Sequence, residues 1–175
     1  MTIKGIIFVV LTTIIVFKFR KELFSFQRHG PYMFVAAEGL LVLFILNAGA
    51  MFQNPFQASQ VVSWMLMLIS AGVAILGFHA LKRYGDAVED WEDTTRVVQE
   101  GIFRHIRHPL YASLMCLSGG MLLKDVSLAA VLAFLVTFGF LAAASLVEER
   151  ENLAKFGDAY REYALSTKRY VPLIV

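Results

Sequence analysis

Residues 110–147 read LYASLMCLSGGMLLKDVSLAAVLAFLVTFGFLAAASLV, two apolar runs with a short polar break between them. The runs, 110–123 and 126–147, are separated only by Lys124 and Asp125. A helix over the first run is about 21 Å long, because an α-helix rises about 1.5 Å per residue. So short a break predicts a tight helical hairpin, and the length of the second run predicts that the hairpin lies in a membrane.

The rest of the chain is similarly apolar. Hydrophobic residues make up 58% of the 175 residues and charged residues 17%, and mean hydropathy is +0.63. These values lie outside the range usual for soluble domains. Three further apolar runs occupy 3–17, 32–52 and 59–81. The sequence therefore predicts an all-α, polytopic transmembrane bundle of about five spans, with a C-terminal amphipathic helix and no room for a separate soluble catalytic domain.

The distribution of positive charge predicts the orientation of this bundle. The segments 18–31, 82–109 and 148–175 together hold fourteen Lys and Arg, whereas the opposite side holds only Lys4 and Lys124. The positive-inside rule then places the N-terminus outside and the C-terminus in the cytoplasm of a multi-pass membrane protein. A net charge of +2 gives no support to nucleic-acid binding. Cys116 is the only cysteine, which excludes disulfides within the chain and cysteine metal sites, and we expect no metal.

The segment 101–111, GIFRHIRHPLY, is the first candidate site. Proline favours the first position of a helix and biases the preceding residue to extended conformations, so His108 is expected to cap a helix that begins at Pro109. A helix N-terminus with arginines nearby favours an anionic ligand. The same basic cluster is also typical of interfacial side chains that bind lipid phosphates: Arg104, His105 and Arg107.

The segment 148–163 is the second candidate site. If the helix of the last apolar run continues to about Phe156, steps of four and three place Glu149 on an apolar stripe with Leu153, Phe156, Tyr160 and Tyr163. Glu148 then shares a more polar face with Asn152 and Lys155. Glu149 is therefore expected to point into the protein, where it either contacts a ligand or forms a structural salt bridge with Arg104 or Arg107.

Read in order, these two motifs and a closing Arg-x-x-Pro resemble the isoprenylcysteine carboxyl methyltransferase and phospholipid methyltransferase family of integral membrane methyltransferases. The first three apolar runs match that family only in hydropathy, and Ser166 and Lys168 depart from its pattern in the tail. The residues that carry the resemblance are Gly101, Arg104, Arg107, His108, Pro109, Tyr111, Glu148, Glu149, Leu153, Phe156, Gly157, Tyr160, Tyr163, Arg169 and Pro172.

The resemblance implies S-adenosyl-L-methionine as cofactor and a single domain over 1–175, in which 1–81 supplies three spans and 82–175 binds the cofactor. It implies catalytic roles for Glu149, Arg107 and Arg169, the last facing the acceptor. The cofactor-binding residues that it implies are Gly101, Arg104, Arg107, His108, Pro109, Tyr111, Glu148 and Glu149.

The methyl acceptor implied by the resemblance is a lipophilic molecule or lipid at the cytoplasmic face. A carboxylate, as in isoprenylcysteine, is the first expectation; a phosphatidylethanolamine-type amine and a small thiol stay open, as does a non-enzymatic lipid-binding role. Among polar residues within the runs, Glu38 either binds the acceptor or reaches the interface. Asn47 is expected to bond a neighbouring helix and His79 to be interfacial. The acidic loop 86–93 is a solvated interfacial face, a lid, or a segment that repels anionic lipid headgroups.

Overall fold

The computed structural model describes residues 3–20, 23, 28–86 and 94–172. Within these ranges the chain forms helices and no β-strand, as the all-α prediction requires. Two short 3-10 segments, Ala48–Ala50 and Gly101–Arg104, accompany the α-helices. These are α1 (Ile3–Phe19), α2 (Gly30–Asn47), α3 (Ala58–Tyr84), α4 (Pro109–Leu122), α5 (Leu128–Phe156) and α6 (Asp158–Ser166).

Each of the five predicted apolar runs corresponds to a helix, although three of them extend one or two residues beyond the helical segments. Three stretches are long and apolar enough to cross a bilayer: Gly30–Ala50, Ala58–Tyr84 and Leu128–Phe156. The other two helices, α1 with 17 residues and α4 with 14, are about 26 and 21 Å long. The helical membrane bundle is thus confirmed, while the number of passes stays a prediction.

The helices pack in the lateral order α3, α4, α5, α2 and α1, so α5 lies at the centre between α4 and α2. Small residues allow the close approaches, as is common where the surrounding medium is itself apolar. At Gly120 of α4, an added Cβ would lie only 3.0 Å from the Ser63 carbonyl oxygen of α3. The Ser63 hydroxyl donates back to the Gly120 carbonyl at 2.7 Å, which ties the two helices at this crossing.

The predicted tight hairpin is formed by α4 and α5. Ser127 caps α5, since its hydroxyl accepts from Ala130 N at 3.2 Å. Lys124 is only 4% exposed, although the charge pattern placed it in an outer loop. Its ammonium lies 3.8 Å from the centre of the Trp64 ring and donates to Gln60 Oε1 at 3.2 Å, so the charge is satisfied inside the bundle.

The long helix α5 runs unbroken for 29 residues, from the apolar run into the charged segment. It ends where Gly157 adopts a φ of +58°, a conformation that glycine adopts without steric cost. The amphipathic helix α6 follows at once and buries Tyr160 and Tyr163. The predicted continuation to about Phe156 is therefore confirmed. The predicted apolar stripe is only partly correct, because Leu153 is 40% exposed and Tyr160 and Tyr163 lie on α6, beyond the break at Gly157.

Candidate active site

The segment 101–108 approaches the bundle through a 3-10 turn that begins at Gly101, whose φ of +62° favours glycine. Helix α4 then begins at Pro109 with His108 as its N-cap residue, as predicted. The His108 side chain makes no capping hydrogen bond to α4; it points towards α5 instead. His108 is 3% exposed, so its imidazole belongs to the interior of the protein.

The C-terminal tail runs alongside this segment in a short parallel pairing. Ile106 and Lys168 form a β-bridge. The Arg107 N–H donates to the Lys168 carbonyl at 2.7 Å, and the His108 N–H donates to the Arg169 carbonyl at 2.9 Å. This pairing brings side chains that are about 60 positions apart in the sequence to one end of α5.

Glu149 accepts hydrogen bonds from three side chains, and we call this set, with Arg107, His108 and Arg169, the Glu149 cluster. Arg107 Nε donates at 2.9 Å and His108 Nε2 lies at 3.3 Å. Arg169 donates from Nε at 3.1 Å and from Nη2 at 3.0 Å, a bidentate arrangement. Two guanidinium groups against one carboxylate keep Glu149 ionised, so it acts as an acceptor only. His108 must then carry its hydrogen on Nε2 to bond it.

Burial differs between the members of the Glu149 cluster. The side chain of Glu149 is 16% exposed and that of Arg107 9%, whereas Arg169 is 40% exposed. Arg107 is bound further by the tail, since its Nη1 donates to the carbonyls of Ala164, at 2.9 Å, and Thr167. Arg107 thus joins α5 to α6 and the tail, while Arg169 keeps one edge towards solvent.

The site is positively charged on its open side. The hydrogen bond with Glu149 raises the pKa of Arg169, so this guanidinium is charged at any physiological pH. Burial, and then the negative charge of Glu149, raise the pKa of Tyr160 to about 12. Burial also raises the pKa of Tyr163, whose hydroxyl donates to the Phe103 carbonyl at 2.7 Å. Both phenols are therefore neutral packing groups that hold α6 against the 3-10 turn.

Aromatic rings enclose His108 from two sides. Tyr111 packs edge-on with ring centres 5.4 Å apart, and Tyr170 lies at 6.1 Å in a tilted arrangement. The Tyr170 hydroxyl forms a hydrogen bond with Ser145 of α5. Sequence reasoning missed both Tyr170 and Ser145. Tyr170 stands inside the Arg-x-x-Pro motif, but nothing in that motif indicates that its ring turns towards His108.

The predicted site residues divide into two groups. Arg107, His108, Glu149 and Arg169 meet, with Pro109 and Tyr111 buried directly behind them. Gly101 and Arg104 are exposed, and of the two arginines proposed as salt-bridge partners of Glu149 only Arg107 takes that place. Glu148 is half-buried and lies outside the Glu149 cluster. The roles of all these predicted site residues towards cofactor and acceptor stay predictions.

The polar residues within the spans lie away from the Glu149 cluster. Glu38 accepts a hydrogen bond from Thr12 of α1 at 2.9 Å and lies beside an open apolar groove of about 430 Å³ between α2 and α5. Asn47 is 2% exposed, and its Nδ2 has no hydrogen-bond partner among the described residues, so this amide does not form the expected bond to a neighbouring helix. His79 is exposed. Of the acidic loop, 87–93 lies outside the described residues, and Asp86 Oδ2 is 3.6 Å from Arg96 Nε.

The structure is a helical membrane bundle whose polar site joins two sequence motifs at one end of α5, and comparison with known families identifies its class. The family model described as phospholipid methyltransferase matches residues 58–159, more than half of the chain. The chain belongs to this family. No protein of curated function matches it. The matched region contains Arg107, His108 and Glu149 and ends before Arg169.

Proposed function

We propose that the protein transfers a methyl group from S-adenosyl-L-methionine to a lipophilic acceptor at the cytoplasmic face of a membrane. The observation that carries this proposal is the Glu149 cluster. It joins the two motifs of the family resemblance through direct hydrogen bonds, at the point where the apolar part of α5 ends. Membership of the phospholipid methyltransferase family supports the reaction class.

The residues around the Glu149 cluster fit such a cofactor. Arg169 uses Nε and Nη2 on Glu149, and its Nη1 makes no hydrogen bond within the described part of the chain, which leaves one cationic edge beside the cofactor site for the acceptor. The positive end of the α4 dipole lies beside it at His108. The rings of Tyr111 and Tyr170 offer apolar surface. When bound, the cofactor supplies an electrophilic methyl group on a sulfonium.

The protein's own contribution to this chemistry is placement. Methyl transfer from a sulfonium needs in-line alignment of donor and nucleophile and a site from which water is excluded. Arg107 and Arg169, both bonded to Glu149, hold the tail against α5. Glu149 is therefore a brace for the site, and its two oxygens are already occupied by these donors. This occupancy argues against Glu149 as a general base.

For the acceptor we propose a carboxylate, as in isoprenylcysteine, because it needs orientation by a cation and no deprotonation. The half-exposed Arg169 supports this choice. A phospholipid amine is the second candidate. It is favoured by the description of the matched family, and it requires a base because an ammonium must lose a proton before it can attack. Glu148, adjacent to Glu149 but outside the cluster, is the carboxylate left for that role.

The proposed orientation, with the N-terminus outside and the C-terminus in the cytoplasm, gains support from one contact. His29, just before α2, lies with its Nδ1 2.7 Å from Glu151 Oε2 near the charged end of α5. His29, which belongs to the basic segment 18–31, therefore lies on the same side of the bundle as the Glu149 cluster. The positive-inside rule assigns this basic segment, and the segments 82–109 and 148–175 that supply the cluster, to the cytoplasm.

The experiment that tests the function uses the full chain in detergent, cofactor labelled in its methyl group, and a total lipid extract or a farnesylated cysteine analogue. Mass spectrometry identifies the labelled product. Methyl esters release volatile methanol in base, whereas N-methyl and S-methyl products do not, so this treatment separates the acceptors. Glu149→Gln serves as the inactive control. A protein that retains lipid but binds no labelled cofactor would overturn the proposal in favour of a lipid-binding role.

A further inference from the structure

Tyr170 connects the tail to two parts of the site at once. Its hydroxyl forms a hydrogen bond with Ser145, and its ring lies 6.1 Å from the His108 ring. It also packs against the buried cluster that includes Tyr111 and Leu141. The tail itself is held on its other side by backbone pairing with Arg107 and His108.

Ser145 is a fixed anchor for this contact. It is fully buried, and its hydroxyl lies 2.8 Å from the Ala142 carbonyl of its own helix. Because α5 is continuous through this region and the hydrogen bond to Ala142 holds the Ser145 rotamer, the Ser145 oxygen has a defined position. A phenol bonded to it takes a defined position. The fixed Tyr170 side chain in turn restricts the positions of its neighbours in the tail.

The plane of the His108 imidazole is fixed by packing against neighbouring side chains. Its polar contact with Glu149 spans 3.3 Å, a long hydrogen bond that does not by itself fix the plane of the ring. The edge-on Tyr111 ring limits rotation on one side, at an interplanar angle of 87°, and the Tyr170 ring limits it on the other. Aromatic pairs of this kind have preferred geometries, so the two tyrosines restrict the imidazole between them.

We propose that Tyr170 is a positioning residue: anchored by Ser145, it holds the His108 ring in the orientation that the cofactor site requires. The part that concerns the cofactor rests on the proposed function. The geometric part, that the Ser145–Tyr170 hydrogen bond keeps the tail on the 105–108 segment, does not.

The test compares Tyr170→Phe, which keeps the ring and removes the hydroxyl, with Ser145→Ala. Ser118→Ala is the matched control, because Ser118 is equally buried and donates to a carbonyl three positions earlier in its own helix. Calorimetry with S-adenosyl-L-homocysteine on the full chain in detergent should show that each of the first two variants raises the dissociation constant about fivefold. The double variant should lose no more affinity than either single variant, and the dissociation constant of the control should equal that of the wild type.

Action through His108 is tested by combining Tyr170→Phe with His108→Ala. If Tyr170 acts through His108, the added substitution has little further effect on affinity, since coupled residues are not additive. An undiminished loss in the His108→Ala background, or an unchanged affinity in both single variants, would overturn the proposal.

Hydrogen exchange of the peptide containing 105–108 gives a readout that needs no cofactor. The His108 amide bonded to the Arg169 carbonyl should exchange faster in Ser145→Ala and Tyr170→Phe than in Ser118→Ala. If wild-type protein binds no S-adenosyl-L-homocysteine, the proposed function fails, and this exchange decides the geometric part alone. Equal exchange in all three variants would overturn the anchoring role of Ser145.

Discussion

The Glu149 carboxylate and the Arg169 guanidinium are joined by hydrogen bonds of 3.0 to 3.2 Å, although a helix end, a second helix and a turn lie between them in the chain. The reversal at Gly157 makes this contact possible, because α6 turns back there and returns the tail to α5. The pair closes a loop of twenty residues. A change at Glu149 therefore acts on the tail as well as on the carboxylate's immediate surroundings.

The two adjacent glutamates should differ sharply on substitution. Glu149→Gln leaves the buried Arg107 without its counter-charge, which costs about 3–5 kcal/mol for a buried pair, so methyl transfer should be nearly abolished and the protein destabilised. Glu148 is half-buried but makes no ion pair among the described residues, so Glu148→Gln should cost under about 1 kcal/mol and retain a measurable rate. Methylation assays and thermal unfolding of both variants provide the measurement. An inactive Glu148→Gln beside an active Glu149→Gln would contradict the assignment of faces on α5.

Helix periodicity was sufficient to predict that Glu149 turns towards the protein interior, because it is a local property, although Leu153 of the same predicted stripe is 40% exposed. The step from Glu149 to Leu153 and Phe156 depends only on α5 continuing, and the start of α4 depends only on the conformation around Pro109. The hairpin likewise followed from one short polar break.

The pairing of Ile106 with Lys168 could not be predicted in the same way. Both segments are irregular, so neither has a repeating pattern that identifies a partner, and their meeting depends on how α6 folds back. The contact of Tyr170 with Ser145 and the burial of Lys124 have the same origin. The Tyr170–Ser145 contact and the burial of Lys124 both depend on tertiary packing, which the residue type alone does not predict.

His108→Ala should weaken binding of S-adenosyl-L-methionine at least tenfold, which corresponds to about 1.4 kcal/mol. The imidazole is buried between two tyrosines and bonds Glu149, so its removal opens space and loses a donor in the site. His105→Ala is the matched control, since His105 is exposed in the same segment. Calorimetry on both variants makes the comparison, and equal affinities would remove His108 from the cofactor site.

Gly101→Ala should lower the melting temperature. Its φ of +62° is unfavourable for alanine, and the added Cβ would lie 3.2 Å from the Ala80 Cβ of α3, so a cost of about 1–2 kcal/mol is expected. Gly139→Ala is the control: it lies within α5 with open space around it, and alanine favours the helix there. If the melting temperature of Gly101→Ala equals or exceeds that of Gly139→Ala, the turn at Gly101 does not have the conformation described.

The orientation can be tested with tags. A tag after Val175 and one in the loop 86–93 should both be protected from reagents applied to the outer face, and a tag before Thr2 should be accessible. The expectation rests on the fourteen-to-two distribution of Lys and Arg and on the contact of His29 with Glu151. Labelling of the 86–93 tag from outside would refute the orientation.

Arg107→Lys should behave as a severe substitution although it preserves charge. The guanidinium of Arg107 donates to three acceptors in different segments: Glu149 of α5, the Ala164 carbonyl of α6 and the Thr167 carbonyl of the tail. A lysine ammonium is a compact group on a flexible stem and cannot reproduce that planar fork, so at least one of the two partly buried carbonyls loses its donor. We expect a loss of about 1–3 kcal/mol in stability and at least a tenfold loss of methyl transfer.

Arg161→Lys is the control, because Arg161 is exposed and pairs only with the exposed Asp158 among the described residues. Thermal unfolding and initial rates of the two variants separate the cases: if Arg107→Lys is as active and as stable as Arg161→Lys, then charge alone suffices at position 107, and the triple contact does not hold the tail.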